Sequence, residues 1–416
     1  MSQYVLKDLI EQSKDGEWGK GEPSVDSVEM FCIRGTDFET VRFGEINSVP
    51  RRHILKRAAD RKTLRPWDLL IEVAGGTKDK ITGRTVLLRP NLVNNSPIPI
   101  TCASFSRFIR FRTELCDPEF MFWYLQGMYA SGLMHAYHTQ HTGVARFQWT
   151  TFSEREPMLI PPLKAQRRIA TILSAYDDLI ENNLRRIKIL EEMTCALYRE
   201  WFVSFRLAVK KTAPMTASPL GPIPKGWEVM PLSSVVDFAK GRKPSETREM
   251  PNPGDVKVLL VDALRGGQPV FASPEKLVLA ETHDTLMVMD GSNSCEVMTG
   301  HSGAVGSTLG RFRSKEPEIV SPRAIYQFLL SKDAEFRLKN IGAAIPHANK
   351  DYILSQAVVI PPRPIMAQFD AEVAPIFALI EINKARVQTL QRTRDLLLPR
   401  LLSGEVPAAL QEMAKV

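Results

Sequence analysis

Three histidines are spaced as metal ligands often are. His135, His138 and His141 occur in the segment HAYHTQH. Imidazoles at this spacing can bind zinc if the segment is helical over two turns. No Cys, Asp or Glu lies between them, and Thr142-Gly143 follows, which favours a helix end. The segment has three possible interpretations: a metal site, a set of donors to DNA, or a plain surface helix end. Of these, we do not predict the metal site.

Motifs for catalysis are missing from the sequence. It contains neither a Gly-x-x-x-x-Gly-Lys-Ser/Thr phosphate loop nor an Asn-Pro-Pro-Tyr/Phe motif for adenine methylation. The segment GDVK offers Asp255 and Lys257, an Asp-x-Lys pattern that metal-dependent nucleases use. No second carboxylate lies upstream on a recognisable strand, so a solvated strand end is the simpler interpretation. We predict no catalytic residues in this chain.

One segment is strongly basic. RRHILKRAADRKTLR, residues 51–65, surrounds a small apolar stripe of Ile54, Leu55 and Ala58 with Arg and Lys. On a helix it would expose a broad cationic face, as expected for contact with DNA phosphates. A solvated surface helix is the alternative. The candidate DNA contacts in this segment are Arg51, Arg52, Lys56 and Arg57.

Candidates for reading DNA bases lie elsewhere in each half of the chain. Arg and Lys suit guanine, and Asn and Gln suit adenine, through hydrogen bonds in the major groove. Polar side chains of this kind occur near Gly75 and Gly291 and ahead of two long predicted helices. They are Lys78, Lys80, Arg84, Arg146, Gln148, Ser292, Asn293, His347, Asn349 and Lys350. The sets differ between the halves, as an asymmetric target requires.

The two long helices belong to an internal repeat. PPLKAQRRIATILSAYDDLIENN, residues 161–183, is repeated without a gap as PPRPIMAQFDAEVAPIFALIEIN, residues 361–383. Both copies carry residues at spacings of 3 and 4 that form a coiled-coil seam. The seam residues are Leu173, Tyr176, Ile180, Asn183, Ile187, Leu190, Leu197, Val373, Ile376, Ile380, Asn383, Val387, Leu390 and Leu397. We predict that the two helices pair with each other, and that Asn183 and Asn383 set the register. Packing of each helix on its own neighbouring domain is the alternative.

The segments ahead of the helices also repeat. WDLLIEVAGG (67–76) parallels HDTLMVMDGS (283–292), and RFR at 110–112 parallels RFR at 311–313. In the same way DPEFMFWYLQ (117–126) parallels SPRAIYQFLL (321–330), and TGVARFQW (142–149) parallels IGAAIPHANK (341–350). The predicted fold class is α+β, with a mixed domain and a long helix occurring twice. The predicted segments are a first domain at 1–157, a first helix at 158–208, a linker at 209–226, a second domain at 227–357 and a second helix at 358–408.

Composition narrows the class of protein. Hydrophobic residues make up 44% and charged residues 24% of the 416 residues, which is typical of globular chains. The net charge of +7 favours an anionic partner. Five dispersed cysteines indicate reduced thiols, and the sequence shows neither a signal peptide nor an apolar run long enough to span a membrane. We therefore expect a soluble, cytoplasmic protein with no membrane partner.

A repeated domain joined by long helices suggests a reader of two separated sites. The seam from Leu173 to Trp201 is 29 residues long, hence roughly 43 Å as a helix. DNA-binding dimers place their half-sites about 34–36 Å apart, or at multiples of that distance. Because the two domains differ in sequence, the target is expected to be bipartite and asymmetric.

Four motifs resemble one known family. They are Pro-Pro-x-x-x-Gln-x-x-Ile (161–169), YREWFVSF (198–205), LGPIPKGWEVMPLSSVV (220–236) and LLLPRLLSGEV (396–406). In this order, over essentially the whole chain, they resemble the specificity subunit of type I restriction–modification systems. The resemblance implies two target-recognition domains, each reading a DNA half-site, and an antiparallel coiled coil whose length fixes the spacer.

The resemblance also implies partners and cofactors. The expected partners are double-stranded DNA, two methyltransferase subunits and restriction subunits. The methyltransferase is expected to use S-adenosylmethionine, and the restriction subunit ATP and Mg; this chain is expected to bind no cofactor. The sequence leaves two alternatives: a protein–protein scaffold that never touches DNA, and a self-contained DNA-modifying enzyme.

Overall fold

The computed structural model describes residues 1–76, 81–140, 144–210, 212–265, 267–342 and 346–405. The chain divides into two units. The first unit combines Met1–Leu184 with Ala385–Val416, and the second is Arg185–Lys384. Each of the two long helices therefore gives one part to each unit. Among the residues described here, no helix is both long enough and apolar enough to cross a membrane.

The first unit is a mixed α and β structure. Its strands are β1 (Ser2–Val5), β2 (Ile10–Asp15), β3 (Ser27–Ile33), β4 (Arg51–Leu55), β5 (Leu69–Glu72), β6 (Ala74–Gly76), β7 (Thr85–Leu87), β8 (Ile100–Cys102), β9 (Ser106–Phe111), β10 (His138–Thr139), β11 (Ala145–Phe147) and β12 (Pro157–Ile160). Its helices are α1 (Phe38–Arg42), α2 (Lys56–Lys62), α3 (Pro90–Asn94), α4 (Pro118–Ala130), α5 (Trp149–Arg155) and the first part of α6 (Leu163–Phe202).

These strands form two main sheets and two smaller ones. The antiparallel sheet has the order β2-β9-β5-β7, and a second sheet, β4-β3-β8, pairs β3 in parallel with β8. The smaller sheets are β1-β12 and β10-β11-β6. Ile109 and Phe108 of β9 point to opposite faces, and each is buried in a different apolar cluster. Both faces of β9 are therefore covered.

The second unit contains the remaining elements. Its strands are β13 (Met215–Ser218), β14 (Gly221–Pro224), β15 (Glu228–Pro231), β16 (Val236–Lys240), β17 (Val256–Leu259), β18 (Val270–Ala272), β19 (Leu279–Ala280), β20 (Thr285–Val288), β21 (Val297–Met298), β22 (Gly303–Val305), β23 (Leu309–Ser314) and β24 (Ala357–Ile360). Its helices are α7 (Leu232–Val235), α8 (Val261–Leu264), α9 (Pro322–Ser331), α10 (Asp333–Leu338), α11 (Lys350–Ser355) and the first part of α12 (Arg363–Ser403).

The second unit repeats the sheet topology of the first. The order β16-β23-β20-β21 matches β2-β9-β5-β7, and β15-β24 matches β1-β12. Likewise β17 pairs in parallel with β22 and antiparallel with β18, as β3 does with β8 and β4. The predicted α+β fold, with a mixed domain and a long helix occurring twice, is confirmed.

One detail of the predicted repeat is wrong. The sequence aligned the two RFR segments directly, which would match Arg110 with Arg311. In the structure Ile109 lies opposite Leu69, while Phe312 lies opposite Thr285, the counterpart of Leu69. Arg110 therefore corresponds to Arg313. The short motif was misleading because strand pairing, rather than local identity, sets the register.

Equivalent caps begin α4 and α9. The Asp117 carboxylate accepts a hydrogen bond from the Phe120 amide at 3.0 Å, and the Ser321 hydroxyl accepts one from the Ala324 amide at 3.1 Å. Each cap is followed by a proline, whose missing N–H is not needed in the first turn. The Asp-Pro and Ser-Pro pairs of the two parallel segments thus mark equivalent helix starts.

The long helices pair with each other in both units. In the first unit Arg394 donates to Asp177 at 2.6 Å, and in the second Trp201 donates to Glu372 at 3.2 Å. The partner number on α12 falls as the number on α6 rises, so the helices are antiparallel. Most seam residues are buried, including Leu173 and Val373, both 0% exposed. Tyr176, Leu190, Leu197, Ile376, Leu390 and Leu397 are half-buried, and Ile180, Ile187, Ile380 and Val387 are buried.

The two seam asparagines bond within their own helices. Asn183 Nδ2 donates to the Leu179 carbonyl at 2.6 Å, and Asn383 Nδ2 donates to the Leu379 carbonyl at 2.7 Å. Both side chains are buried, and neither Oδ1 has a hydrogen-bond partner among the described residues. Their role in setting the register stays a prediction, since the polar contacts between the helices described above are made by other residues.

Two segments differ from their predicted conformation. Residues 51–65 are not one helix: Arg51–Leu55 is strand β4, and the helix covers only Lys56–Lys62. Strand β4 pairs with β3 and buries Ile54 completely. This pairing and burial stabilise a strand more than the helical spacing of the apolar residues favours a helix. The predicted linker at 209–226 contains the hairpin β13–β14, with Met215 opposite Pro224.

Candidate DNA-recognition surfaces

Two arginines of β4 stack on aromatic rings in the first unit. The Arg52 guanidinium lies 4.6 Å from the centre of the Trp18 ring, and Arg51 lies 5.4 Å from that of Phe31. Arg52 also donates to the Trp18 carbonyl at 3.2 Å. These contacts hold both guanidinium groups at the surface in fixed orientations, where they remain positively charged.

A cleft of about 600 Å³ opens beside them. Trp18 and Phe105 form part of its wall, and these aromatic side chains are 38% and 53% exposed. Gly75, at a φ of +104°, brings the backbone of β6 to the cleft. The first unit thus presents exposed aromatic surface next to cationic side chains, a combination common in nucleic-acid binding.

Arg84 is committed to a buried ion pair. Its Nη2 donates to Glu72 Oε1 at 2.6 Å and its Nε donates to Glu72 Oε2 at 2.9 Å. The Glu72 side chain is only 4% exposed and lies at the same cleft. The carboxylate occupies two of the five N–H donors of Arg84, and the Arg84 side chain is only 20% exposed, so Arg84 is better placed to hold Glu72 than to reach a base.

Arg146 and Gln148 are exposed on and just after the middle strand of the small sheet β10-β11-β6. Arg146 lies on β11 opposite Ala74 of β6, and its side chain is exposed. Gln148 is also exposed and directly precedes α5. Since β6 lines the cleft, the structure brings Arg146, Arg52 and Arg84 to the same region of the first unit.

Lys56 and Arg57 occupy the first turn of α2. Both are exposed, and neither forms an ion pair with any residue in the described parts of the chain. They remain available to phosphates. Lys78 and Lys80 lie outside the described residues, as does His141.

The second unit carries a cluster that the sequence analysis found only in part. His347 Nδ1 is 2.8 Å from Asp290 Oδ1, and Lys240 Nζ is 3.0 Å from Asp290 Oδ2. The pKa of Asp290 lies below its ordinary value: burial raises it, but the hydrogen bonds from His347 and Lys240 outweigh that effect. The carboxylate is therefore ionised at neutral pH. Only His347 was predicted from sequence.

The other candidates of the second unit differ in availability. Asn349 Oδ1 accepts from the Tyr352 amide at 3.1 Å and so caps α11. Lys350 is exposed and lies 5.3 Å from the centre of the Phe238 ring. Ser292 is exposed and Asn293 half-buried in the turn after Gly291. The cap commits the acceptor of Asn349, whereas Lys350 and Ser292 face solvent.

The histidine segment does not form the two-turn helix that zinc binding would require. A 3-10 turn covers Leu133–Tyr137, and His138 lies on β10. His138 Nδ1 accepts from the Thr82 amide at 3.1 Å. Within the described ranges, no group of three His, Cys, Asp or Glu side chains is arranged to hold a metal ion. Asp255 of the GDVK segment pairs with Arg248 at 3.3 Å.

A buried ion network lies where α6 and α12 meet in the first unit. Asp177 accepts hydrogen bonds from Arg42 at 2.8 Å and from Arg394 at 2.6 Å. Both guanidinium groups lie over the Trp123 ring, at 5.1 and 5.8 Å from its centre. The Asp177 side chain is 3% exposed. The network fixes the domain that carries Arg42 on the helix pair.

Several of these residues gave little signal in the sequence. Trp18, Phe105 and Lys240 stand alone, outside any motif. The one available signal was Asp290, which lies at the place of Ala74 in the repeat WDLLIEVAGG/HDTLMVMDGS. An apolar residue replaced by an acid at the edge of a repeated strand marks a position where the two copies differ in chemistry.

Comparison with known proteins shows similarity to one family. Residues 224–392 match the model of the type I restriction modification DNA specificity domain. The chain is 25% identical over 300 residues to the type I restriction enzyme MjaIX specificity subunit of Methanocaldococcus jannaschii, covering 68% of each chain. It is 26% identical over 174 residues to the MjaVIII specificity subunit of the same organism, covering 39% of this chain and 41% of that relative.

A solved structure shares the fold. The S subunit of a type I restriction–modification system from M. genitalium superposes with a TM-score of 0.54 at 15% identity, covering 96% of this chain and 95% of that one. Its match extends over both units, whereas the domain model matches the second half alone. The second half of the chain thus matches a type I restriction modification DNA specificity domain, and over 68% of its length the chain is similar to a type I restriction enzyme specificity subunit.

Proposed function

We propose that this chain reads a bipartite, asymmetric DNA target, with one half-site contacted by each unit. It carries no catalytic residues of its own and acts through hydrogen bonds to bases and contacts with phosphates. The candidate contacts in the first unit surround the Trp18–Phe105 cleft. Those in the second unit surround His347.

One observation carries this proposal: the two units share a topology but differ in side chains at equivalent surface positions. Arg146 opposes Ala74 in the first unit, and His347 opposes Asp290 in the second. The backbone pairing is equivalent in the two units, so the units differ in the hydrogen bonds that their side chains can form. Two similar frames with different side chains are suited to two different sequences.

The helix pair supplies the spacing in this proposal. Helix α6 has 40 residues and α12 has 41, so each is roughly 60 Å long at ~1.5 Å per residue. One turn of DNA is about 34–36 Å. Helices of this length suffice to hold two reading domains one turn apart or more, and the number of bases between the half-sites then follows from helix length.

The proposal includes partners. Two methyltransferase subunits dock on the chain and use S-adenosylmethionine, and restriction subunits that use ATP and Mg join them. The assembly works on double-stranded DNA in the cytoplasm. These partners supply the chemistry, since the chain itself contributes recognition and spacing.

Methylome sequencing tests the proposal. Cells carrying this gene and its neighbouring methyltransferase gene are compared with cells in which this gene is deleted. We expect an adenine-methylated motif of two half-sites separated by unspecified bases, and its loss on deletion. A motif that survives deletion would contradict the proposal.

A further binding measurement separates DNA reading from a role as protein scaffold. The purified complex with methyltransferase is titrated with duplex DNA at several salt concentrations. We expect affinity that falls steeply with salt, because phosphate contacts release counterions. A complex that assembles but shows no salt-dependent affinity would favour the scaffold.

A further inference from the structure

The backbone around His347 is held on both sides. His347 exchanges two hydrogen bonds with Ile341, at 2.8 and 2.9 Å. On the other side the Gly291 amide donates to the Pro346 carbonyl at 2.9 Å, and the Ala348 amide donates to Met289 at 2.8 Å. The backbone that carries the imidazole is therefore held in place. The segment forms isolated bridges rather than a full strand.

The neighbouring carboxylate determines which ring nitrogen carries a proton. An ionised carboxylate can only accept hydrogen bonds, so His347 Nδ1, at 2.8 Å from Asp290 Oδ1, must be the donor. In the neutral ring the other nitrogen, Nε2, is then an acceptor. The His347 side chain is 45% exposed, so this acceptor can be reached from outside.

Lys240 supports this arrangement. Its ammonium is 3.0 Å from Asp290 Oδ2, so both oxygens of the carboxylate have a cationic or N–H partner. Lys240 is the last residue of β16, and it lies opposite Gly310. Two hydrogen bonds to Oδ1, from His347 and Lys240, and the ion pair of Lys240 with Oδ2 restrict rotation of the carboxylate and thereby of the imidazole.

We propose that Asp290 and Lys240 position His347 so that its Nε2 accepts a hydrogen bond from the exocyclic amino group of a base in the second half-site. This inference rests on the function proposed above. In the major groove such an amino group belongs to adenine, as N6, or to cytosine, as N4. His347 contacts the base, while Asp290 and Lys240 are positioning residues.

The first unit presents the opposite chemistry at the same place. Arg146 corresponds to His347, and Ala74 corresponds to Asp290. A guanidinium has donors and no acceptor, and it suits the N7 and O6 acceptors of guanine. The two units thus differ in the direction of the hydrogen bond that they offer, which gives an asymmetric target from one repeated frame.

The test removes single amino groups from the DNA and single side chains from the protein. The complex of this chain with methyltransferase is assayed on the motif found by methylome sequencing. It is also assayed on duplexes in which each adenine or cytosine of the second half-site, other than an adenine that is itself methylated, lacks its exocyclic amino group. Purine replaces adenine and 2-pyrimidinone replaces cytosine. One such substitution should lower the methylation rate of the wild-type complex roughly tenfold.

Variants then identify the protein atom. In His347→Ala the same substitution should have no further effect, while discrimination in the first half-site stays unchanged. Asp290→Ala should weaken the same discrimination because Nδ1 is no longer held as the donor. The matched control is His283→Ala, which removes an exposed histidine of the same unit at 3.7 Å from Glu281 and should leave discrimination unaltered.

Each outcome decides between the two proposals. Absence of any bipartite motif would contradict the proposed function itself. If the motif exists but the wild-type complex tolerates every missing amino group in the second half-site, the role of His347 is wrong. The same holds if His347→Ala retains the full penalty. The measurement on wild type remains informative even if a variant fails to assemble.

Discussion

Arg110 donates two hydrogen bonds to Asp68, from Nε to Oδ1 at 2.8 Å and from Nη2 to Oδ2 at 2.7 Å. Arg313 repeats this bidentate contact with Asp284, at 2.8 and 2.6 Å. Each aspartate also accepts from the backbone amide three residues earlier, at 2.7 and 2.8 Å. A complete polar cluster is therefore repeated in the two copies of the domain, in contrast to the candidate DNA contacts.

Removing either carboxylate should destabilise the unit that contains it. The side chains of Asp68 and Asp284 are 1% and 0% exposed. Asp68→Ala leaves Arg110 without a carboxylate partner, which costs about 3 kcal/mol in the free energy of unfolding. Asp284→Ala should cost less, because Arg313 keeps Glu281 at 3.2 Å. Urea titration followed by circular dichroism measures this loss. Glu154→Ala is the control, because Glu154 and Lys7 form an exposed pair, and its midpoint should barely move. Equal shifts in all three variants would contradict the prediction.

Loss of Asp177 should have a larger effect than loss of either arginine. Asp177→Ala leaves Arg42 without its carboxylate partner and leaves Arg394, whose side chain is 9% exposed, with only the exposed Asp395. A double-mutant cycle between Asp177 and Arg394 should give a coupling energy of about 1–3 kcal/mol. Asp178→Ala serves as the control, since its side chain is 63% exposed on the next position of α6. A coupling energy near zero would show that the network does not join the helices energetically.

Lengthening both helices should lengthen the spacer of the target. Four residues inserted after Arg186 and after Arg386 add ~6 Å of helix at ~1.5 Å per residue. We expect one or two more unspecified base pairs, with both half-sites unchanged, as read by methylome sequencing. Four residues inserted between Pro219 and Leu220, at the tip of the β13–β14 hairpin, should leave the spacer as it is. An active protein with longer helices and the original spacer would rule out the spacing role.

Lys56 and Arg57 should contribute to affinity without contributing to sequence preference. Each phosphate contact adds about 0.9 to the slope of log affinity against log salt. Lys56→Ala and Arg57→Ala should therefore each reduce the slope by about this amount, with the methylated motif unchanged. Lys164→Ala, an exposed cation at the start of α6, is the control. An altered motif would instead assign these side chains to base reading.

The second unit should lose stability as the pH falls below neutral. Burial lowers the pKa of His301 from its ordinary 6.5, and Lys384 lowers it further, while Glu381 opposes them. The folded state then binds protons less readily than the unfolded state, so stability is present above pH ~6.5 and is lost as pH falls through the folded pKa. Melting temperatures at pH 7.5 and 5.5 should differ less in His301→Gln than in wild type. His283→Gln, at an exposed position, should keep the wild-type difference.

The sequence by itself determined the repeated architecture. Helix caps such as Asp117 and Ser321 act on amides three residues away, and the seam from Leu173 to Leu197 follows from helical spacing. Both signals are local, so they can be recognised before the chain is folded. The family resemblance followed from motifs of the same kind.

Tertiary structure decided the rest. Lys240, Asp290 and His347 meet although 50 and 57 residues separate the bonded pairs, and Glu72 uses two of the donors that made Arg84 a candidate for base reading. Residues 51–55 were predicted to be helical but form strand β4, because they pair with the backbone groups of β3. Strand pairing and buried charge pairs depend on neighbours from distant parts of the chain, and one sequence carries no local record of which neighbours those will be.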